Sequence, residues 1–252
     1  MKNDMHTSAE QPEYTIQQVL PGLYSIDEGG VCNYMFSGKK AALLIDTGFG
    51  FYNYKKIAEE ISNLPLMIAN THFHEDHYGG NGFFNQIYLH PYGMDKARKL
   101  FPQVEYLPIT EGYKFELGER DIEVIECPGH TRHDVTFLDI ENRALVGGDT
   151  VTENPVILRP DTSDIQMLQV SIERLISLSD RYDLIYPSHG RRPVKPYILE
   201  HMKQAVKLLL SGVEGEAFSA DVPDGQIFAG QLYKYGDCTL FMLDLEQSKL
   251  YG

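Results

Sequence analysis

The chain has 252 residues with 42% hydrophobic and 23% charged content, which is ordinary for a folded globular protein and excludes wholesale disorder. Its formal net charge of −14 disfavours nucleic acid as a partner, and no apolar run approaches the ~20 residues that span a bilayer. Three scattered cysteines form no CxxC pair and the N-terminus shows no secretory signal, so we expect a cytoplasmic protein that does not bind membranes.

Residues 1–13 are predicted to form a loose tail, and residues 14–252 are expected to form one domain. Short β-rich runs come first: YTIQQVL, LYSID, VCNYMF and AALLID. A helix is predicted at about residues 52–61, followed by the apolar run LPLMIAN. Next come the strand-like runs IYLH, DIEVIE, DVTFLDI and ALVGG, with the helical segment PYGMDKARKL after the first of them.

The second half alternates in the same way. Apolar residues at helical spacing predict a helix over about residues 163–178, and DLIYPSHG is typical of a buried strand that ends in a loop. A helix over about 194–210 and a hairpin around Gly236 are expected to belong to the same domain, as a C-terminal unit at about 194–245. Strands in both halves, with helices interspersed, predict two packed sheets covered by helices.

The sharpest motif is THFHEDHYGG, residues 71–80, which follows directly on LPLMIAN. In extended backbone, residues two apart point the same way, so His72 and His74 can converge on one ion. Asp76 and His77 come as the chain turns and can face a second ion nearby. The alternative, a polar loop of solvated histidines, is disfavoured because further metal-ligand residues occur elsewhere in the chain.

Three further candidate ligands each stand just after an apolar, strand-like run. They are His130 in CPGHT, Asp149 in GGDT and His189 in PSHG. Ligands at strand ends sit on rigid supports while their side chains reach into one cleft. Imidazole and carboxylate ligands suit zinc, and also iron or manganese, so ligand type leaves the metal open.

Three residues have weaker claims on the site. Asp46 in IDTG also stands at a strand end, where it either caps a turn or supports a ligand from behind. His133 is a candidate to line the cleft and contact substrate, with a surface role as the alternative. Arg159 is a candidate to grip an anionic substrate, with a solvated charge as the alternative.

The ordered set IDTG, THFHEDH, PGHT, GGDT and SHG resembles the metallo-β-lactamase superfamily over roughly residues 14–190. The resemblance implies an α/β fold: a four-layer αββα sandwich of two mixed β-sheets flanked by helices, with the site at one edge of the sheets. It implies a first metal bound by His72, His74 and His130. It also implies a second metal bound by Asp76, His77 and His189, with Asp149 bridging the two.

The acid at position 149 is similar to the glyoxalase II-like, lactonase and phosphodiesterase branches of the superfamily, whereas true β-lactamases usually lack it. The resemblance therefore implies a metallo-hydrolase with two divalent ions, zinc by expectation, that uses a metal-bridging hydroxide on a small ester, thioester, lactone or phosphodiester. Asp76 is expected to have a catalytic role as well, orienting the nucleophile or passing a proton.

Two other functions stay open on the sequence alone. Persulfide dioxygenases share much of the same motif but use one iron, and a non-catalytic binding protein with a relic site would need no turnover. Bound metal and hydrolysis of a generic substrate discriminate among the three. The expected partner is a small-molecule substrate, and a homodimer is left open.

Overall fold

The computed structural model of the protein describes residues 13–221 and 227–244. The predicted tail at residues 1–13 therefore lies, apart from Glu13, outside the described residues. In chain order the strands are β1 (Thr15–Leu20), β2 (Leu23–Asp27), β3 (Cys32–Ser37), β4 (Ala42–Ile45), β5 (Leu66–Ala69), β6 (Gln86–Leu89), β7 (Glu105–Pro108), β8 (Lys114–Glu116), β9 (Asp121–Glu126), β10 (Val135–Asp139), β11 (Ala144–Gly148), β12 (Val156–Leu158), β13 (Leu184–Pro187), β14 (Glu216–Asp221), β15 (Ile227–Tyr235) and β16 (Cys238–Leu243). The helices are α1 (Tyr54–Ile61), α2 (Glu75–Tyr78), α3 (Pro91–Leu100), α4 (Ile165–Ser177) and α5 (Ile198–Leu210), with 3₁₀ turns at Asn81–Phe83 and Ser179–Arg181.

Two mixed β-sheets form the centre of the fold. The first has seven strands in chain order, β1 to β7, and changes from antiparallel to parallel pairing at β4. The second has the order β13-β11-β10-β9-β8 and is antiparallel except for the β11–β13 pair. Candidate ligands follow β5 of the first sheet and β9, β11 and β13 of the second. The last three strands run in the same direction, so their carboxyl ends bring the ligand loops to one edge.

Three apolar clusters define four layers. Between the sheets lie inward-facing side chains of both, such as Phe36 and Leu43 from the first and Val124 and Phe137 from the second. Helices α1 and α3 pack on the outer face of the first sheet. Helices α4 and α5 cover the outer face of the second sheet. The predicted αββα sandwich of two mixed sheets is therefore the observed architecture.

A third sheet lies outside the predicted two. It has four strands in the order β12-β16-β15-β14, and the predicted hairpin around Gly236 supplies its β15 and β16. Strand β12, which follows the Asp149 loop, pairs in parallel with β16, with Val156 opposite Leu240. This pairing joins segments that are far apart in sequence, so no local sequence pattern predicts it.

The helix predicted over about 194–210 begins later, at Ile198. Val194 instead forms an isolated bridge to Ile185, with backbone hydrogen bonds of 2.8 and 2.9 Å in the two directions. Pro193 and Pro196 also disfavour helical backbone in the residues that precede them. The other predicted helices match the structure to within two residues at each end. Within the described parts of the chain, no helix has the length and apolar character needed to cross a membrane.

Arg120 ties the two central sheets together from a buried position. Its guanidinium pairs with the fully buried carboxylate of Asp139 in the second sheet and donates to the carbonyls of Pro21 and Ser37, at 3.0 and 3.2 Å, in the first. The same group lies 5.4 Å from the centre of the Phe36 ring. Its removal would leave the Asp139 charge buried without its cation.

We therefore expect Arg120→Met to lower the free energy of unfolding by about 3–5 kcal/mol, the usual cost of breaking a buried ion pair on one side. Arg98→Met is the matched control, because Arg98 forms an exposed pair with Asp95. Loss of that pair should lower the free energy of unfolding by under about 1 kcal/mol. Urea denaturation of both variants measures the difference. Equal losses would show that the buried pair does not stabilise the fold.

Candidate metal centre

The seven candidate ligands come from loops at the ends of four strands and from the short helix α2. His72 and His74 follow β5, and Asp76 and His77 lie on α2 itself. The remaining three follow strands of the second sheet: His130 after β9, Asp149 after β11 and His189 after β13. Both sheets therefore contribute to one cluster at their common edge.

Three histidines form the first ligand group. Nε2 of His72 lies 2.9 Å from Nδ1 of His74, and Nε2 of His130 lies 3.0 Å from the same Nδ1. Burial, and then the neighbouring histidines, hold the pKa of His72 and of His74 well below the ordinary value. The rings of His72 and His74 are therefore neutral at physiological pH, which is the form that binds a metal ion.

The second group contains two carboxylates and two histidines. Nε2 of His189 lies 3.0 Å from Oδ2 of Asp76 and 3.3 Å from Oδ2 of Asp149. Nε2 of His77 lies 3.2 Å from Oδ1 of Asp149 and 3.5 Å from Oδ2 of Asp76. Asp149 also lies 3.8 Å from His130 of the first group, so its carboxylate stands between the two.

Backbone and carboxylate acceptors fix the orientation of three of the rings. Nδ1 of His130 donates to the carbonyl of Ile157 at 2.7 Å, and Nδ1 of His189 donates to the carbonyl of Gly30 at 2.8 Å. Nδ1 of His77 lies 2.8 Å from Oδ2 of Asp46. Because Nδ1 of each ring donates its N–H to one of these acceptors, the ring presents Nε2 to the cluster, as metal-binding histidines do.

Asp46 carries out this support from an unusual backbone conformation, with φ at 64°. Its carboxylate accepts from the backbone N–H and from the hydroxyl of Thr71, both at 2.8 Å, in addition to its contact with His77. The side chain is buried, and it lies behind the ligands instead of beside them. The structure thus favours the supporting role over a simple turn cap.

Two glycines permit the close approach of the ligand loops. The N–H of Gly79 donates to the carbonyl of Gly48 at 2.8 Å, and a Cβ at position 79 would lie 2.2 Å from the backbone of Phe49. Gly148, directly before Asp149, has a φ of 56°, in the left-handed region that glycine adopts at little cost.

The carboxylates of the second group create a negative environment that favours a bound cation. Burial alone would lower the pKa of His77, but the carboxylates of Asp76, Asp149 and Asp46 outweigh it and raise that pKa well above the ordinary value. In the same way, burial is outweighed for His189, whose pKa is raised to about 10, mainly by Asp149. The pKa of Asp149 is held well below its usual range, because His77 and His189 outweigh the opposing effect of burial.

The residues fit divalent metal ions. Nε2 of His77 and Oδ1 of Asp149 are both buried and make no hydrogen bond, although they lie 3.2 Å apart. Buried polar atoms are normally paired, so two unpaired atoms that face each other indicate a ligand between or beside them. The donor atoms of each group lie within 4.8 Å of one another, which matches one ion per group.

The cluster opens into a cavity of about 830 Å³. Five of the seven candidate ligands line it, together with the predicted substrate residue Arg159. Sequence reasoning missed the rest of the wall, which includes Phe49, Lys96 and a set of aromatic and aliphatic side chains from the C-terminal sheet. The alternating pattern of the last strands was a possible signal, but it gave no indication of what the strands face.

His133 is not among the residues that line this cavity, and its contact with substrate stays a prediction. Its Nε2 accepts from the backbone N–H of Phe73 at 3.0 Å, which places it beneath the loop that carries His72 and His74. Burial, and then the nearby histidines and Lys96, lower the pKa of His133 to about 3. The neutral ring therefore acts as a hydrogen-bond acceptor that positions the ligand loop.

The four layers and the ligand groups at the strand ends define a metal-binding αββα sandwich. The solved metallo-β-lactamase from Pontibacter korlensis has the same fold, with a TM-score of 0.67 at 19% identity over 77% of this chain and 99% of that one. The DIM-1 metallo-β-lactamase superposes with a TM-score of 0.68 at 18% identity over 79% of this chain and 99% of that one. At these identities the likeness establishes the fold alone.

A sequence model of the metallo-β-lactamase superfamily matches residues 27–189, and the chain belongs to this superfamily. Among its relatives, the lactamase-like protein adaB of Aspergillus niger is 27% identical over 236 residues, which cover 88% of this chain and 71% of that protein. The predicted superfamily and fold are therefore confirmed.

Two other relatives are named thioesterases. The atrochrysone carboxyl ACP thioesterase of Aspergillus fumigatus is 26% identical over 183 residues, 71% of this chain and 54% of that protein. The acyl-coenzyme A thioesterase MBLAC2 of Homo sapiens is 26% identical over 199 residues, 62% of this chain and 71% of that protein. These names agree with the prediction of a metallo-hydrolase, while the glyoxalase II-like branch and zinc stay predictions.

Asp46→Asn should weaken metal binding without touching a ligand atom. The amide carries no charge and places an N–H where His77 now finds an acceptor, so we expect about 10- to 100-fold lower affinity for the second ion. Competition with a chelator, followed by elemental analysis, measures the loss. Asp121→Asn, an exposed carboxylate, is the control. Unchanged metal retention in Asp46→Asn would contradict the supporting role.

His133→Gln should change the pH dependence of stability. Because the pKa of His133 is about 3 in the folded chain against an ordinary 6.5, the unfolded chain binds the extra proton between these values. Wild-type stability should therefore fall, relative to the variant, as the pH drops from about 6.5 towards 3.

Urea denaturation of both proteins at a series of pH values, with a chelator present so that metal binding makes no contribution, measures this difference. Parallel pH profiles for wild type and His133→Gln would show that the ring is not held neutral in the fold.

Proposed function

We propose that the chain is a metal-dependent thioesterase, which hydrolyses an acyl thioester to a carboxylic acid and a thiol at a centre of two divalent ions. The observation that carries this proposal is the pair of adjacent ligand groups that open into one large cavity, with Asp149 of the second group 3.8 Å from His130 of the first. Support for a thioester, among the four substrate types expected from sequence, comes from the relatives named as acyl-coenzyme A and ACP thioesterases.

His72, His74 and His130 would hold the first ion, and Asp76, His77 and His189 the second, with Asp149 shared between them. Zinc fits this ligand set, as do iron and manganese. Divalent ions held by these residues would supply a water-derived nucleophile at neutral pH and would polarise the carbonyl under attack.

The protein side chains orient and protect this chemistry. Asp46, Ile157 and Gly30 hold three histidine rings by their Nδ1 atoms, so the ligands are already aligned before substrate enters. Asp76 has a side chain 21% exposed towards the cavity and lies 3.0 Å from His189. Its pKa is held below the ordinary value, because His77 and His189 outweigh the effect of burial. The carboxylate is therefore ionised at neutral pH, and its Oδ2 can accept a hydrogen bond that orients the nucleophile.

Elemental analysis of protein purified without chelators, together with thiol release from an acyl thioester, tests the proposal. We expect close to two ions per chain, and Asp149→Ala should lose metal and at least about 100-fold of the activity together, as is typical for removal of a metal ligand or its support. Asp95→Ala is the control, because that carboxylate is 94% exposed, pairs with Arg98 and is not among the residues that line the cavity.

The protein would instead be a persulfide dioxygenase if it held a single iron, took up no second ion on reconstitution and turned over persulfides in an oxygen-dependent reaction. Full thioesterase activity without bound metal would also overturn the proposal. A small-molecule substrate is part of the proposal, while a homodimer and a cytoplasmic location stay predictions.

A further inference from the structure

The C-terminal sheet has two different faces. Because side chains alternate along a strand, residues two apart share a face. On one face of β15 and β16, Tyr233, Cys238, Leu240 and Met242 pack into the apolar cluster with α4 and α5. This face anchors the sheet to the body of the protein.

The opposite face is turned towards the metal centre. Its cavity-lining members are Phe218 and Ala220 from β14, Phe228, Leu232 and Lys234 from β15, and Thr239 and Phe241 from β16. The Phe241 ring lies 5.5 Å from the Phe218 ring and 4.8 Å from the Phe228 ring, so the three form one aromatic surface. Phe218 is 42% exposed, although a large apolar side chain is normally buried.

Strand β12 fixes the distance between this surface and the ligands. It pairs with β16, with Ile157 opposite Phe241, and the carbonyl of Ile157 accepts from Nδ1 of His130. Val156 and Ile157 also line the cavity. The aromatic surface is therefore continuous with the wall that carries a ligand of the first group.

We propose that this aromatic surface, formed by Phe218, Phe228 and Phe241, binds the apolar acyl chain of the substrate together with Leu232 and selects for chain length. The inference rests on the proposed thioesterase function and names its substrate class: thioesters of medium or long apolar acids. The acyl side is favoured because the carrier thiols of biological thioesters are rich in amide and phosphate groups, which an aromatic surface does not solvate.

The chain contains no tryptophan, so a single introduced tryptophan reports on this surface without background. The experiment uses Phe218→Trp, purified with its metal, and S-alkyl thioethers of N-acetylcysteamine with butyl to decyl chains, which have no carbonyl to hydrolyse. Tryptophan emission should move to shorter wavelength on binding. Affinity should rise about two- to fourfold for each added methylene, as expected for burial of apolar surface.

Tyr235→Trp is the matched control. Tyr235 is 47% exposed on the same sheet and its ring lies near His201, away from the cavity-lining set. Its emission should not respond to the probes. Phe228→Trp provides a second reporter if Phe218→Trp does not fold. An absent response in both reporters, a response without dependence on chain length, or an equal response in Tyr235→Trp would overturn the proposal.

Kinetic measurements test whether the bound apolar chain belongs to the acyl side of the thioester. The preference of kcat/KM for an octanoyl over an acetyl thioester of N-acetylcysteamine should fall about five- to tenfold in Phe218→Ala and stay unchanged in Tyr235→Ala. A preference that instead follows an octyl group on the thiol side would overturn the acyl assignment. Binding without hydrolysis of any thioester would leave the apolar site standing and reject the thioesterase, so the two failures are distinguishable.

Discussion

The buried carboxylate of Asp149 sets the main constraint on this structure. It stands between three histidine nitrogens on one side and a mixed group of carboxylate and imidazole atoms on the other, and one of its oxygens has no hydrogen-bond partner. A charge in that position is costly unless cations face it, and the surrounding histidines compensate only by taking up protons. The ligand histidines are held around the Asp149 carboxylate by the two sheets, by the glycine-containing loops and by the contact of Asp46 with His77.

Much of the site was predictable from the sequence, because its information is local. His72, His74, Asp76 and His77 lie within six residues, and their spacing after an apolar strand indicates which side chains converge. His130, Asp149 and His189 are distant in sequence, but each follows a strand-like run, and strand ends gather at one edge of an α/β sandwich. The order of the motifs then indicated the superfamily that the sequence match confirms.

What the sequence did not reveal depends on pairing at long range. The β12–β16 pair joins residues 156–158 to residues 240–242, so alternation along the last strands could not show which of their faces meets the cavity. The hydrogen bond of His133 was hidden for a related reason: its partner Phe73 is sixty positions away, and only the packed fold shows that the ring accepts a backbone N–H. The late start of α5 follows likewise from the bridge between Val194 and Ile185.

The parallel pairing of β12 with β16 affects the order in which the metal centre is completed during synthesis on the ribosome. All seven candidate ligands have been synthesised once His189 is joined to the chain, yet the strand whose carbonyl orients His130 still has an unpaired edge. That edge is completed only when residues 240–242 emerge. The first ligand group therefore gains its full backbone support only after residues 240–242 are available for pairing, which separates the synthesis of the ligands from the completion of the centre.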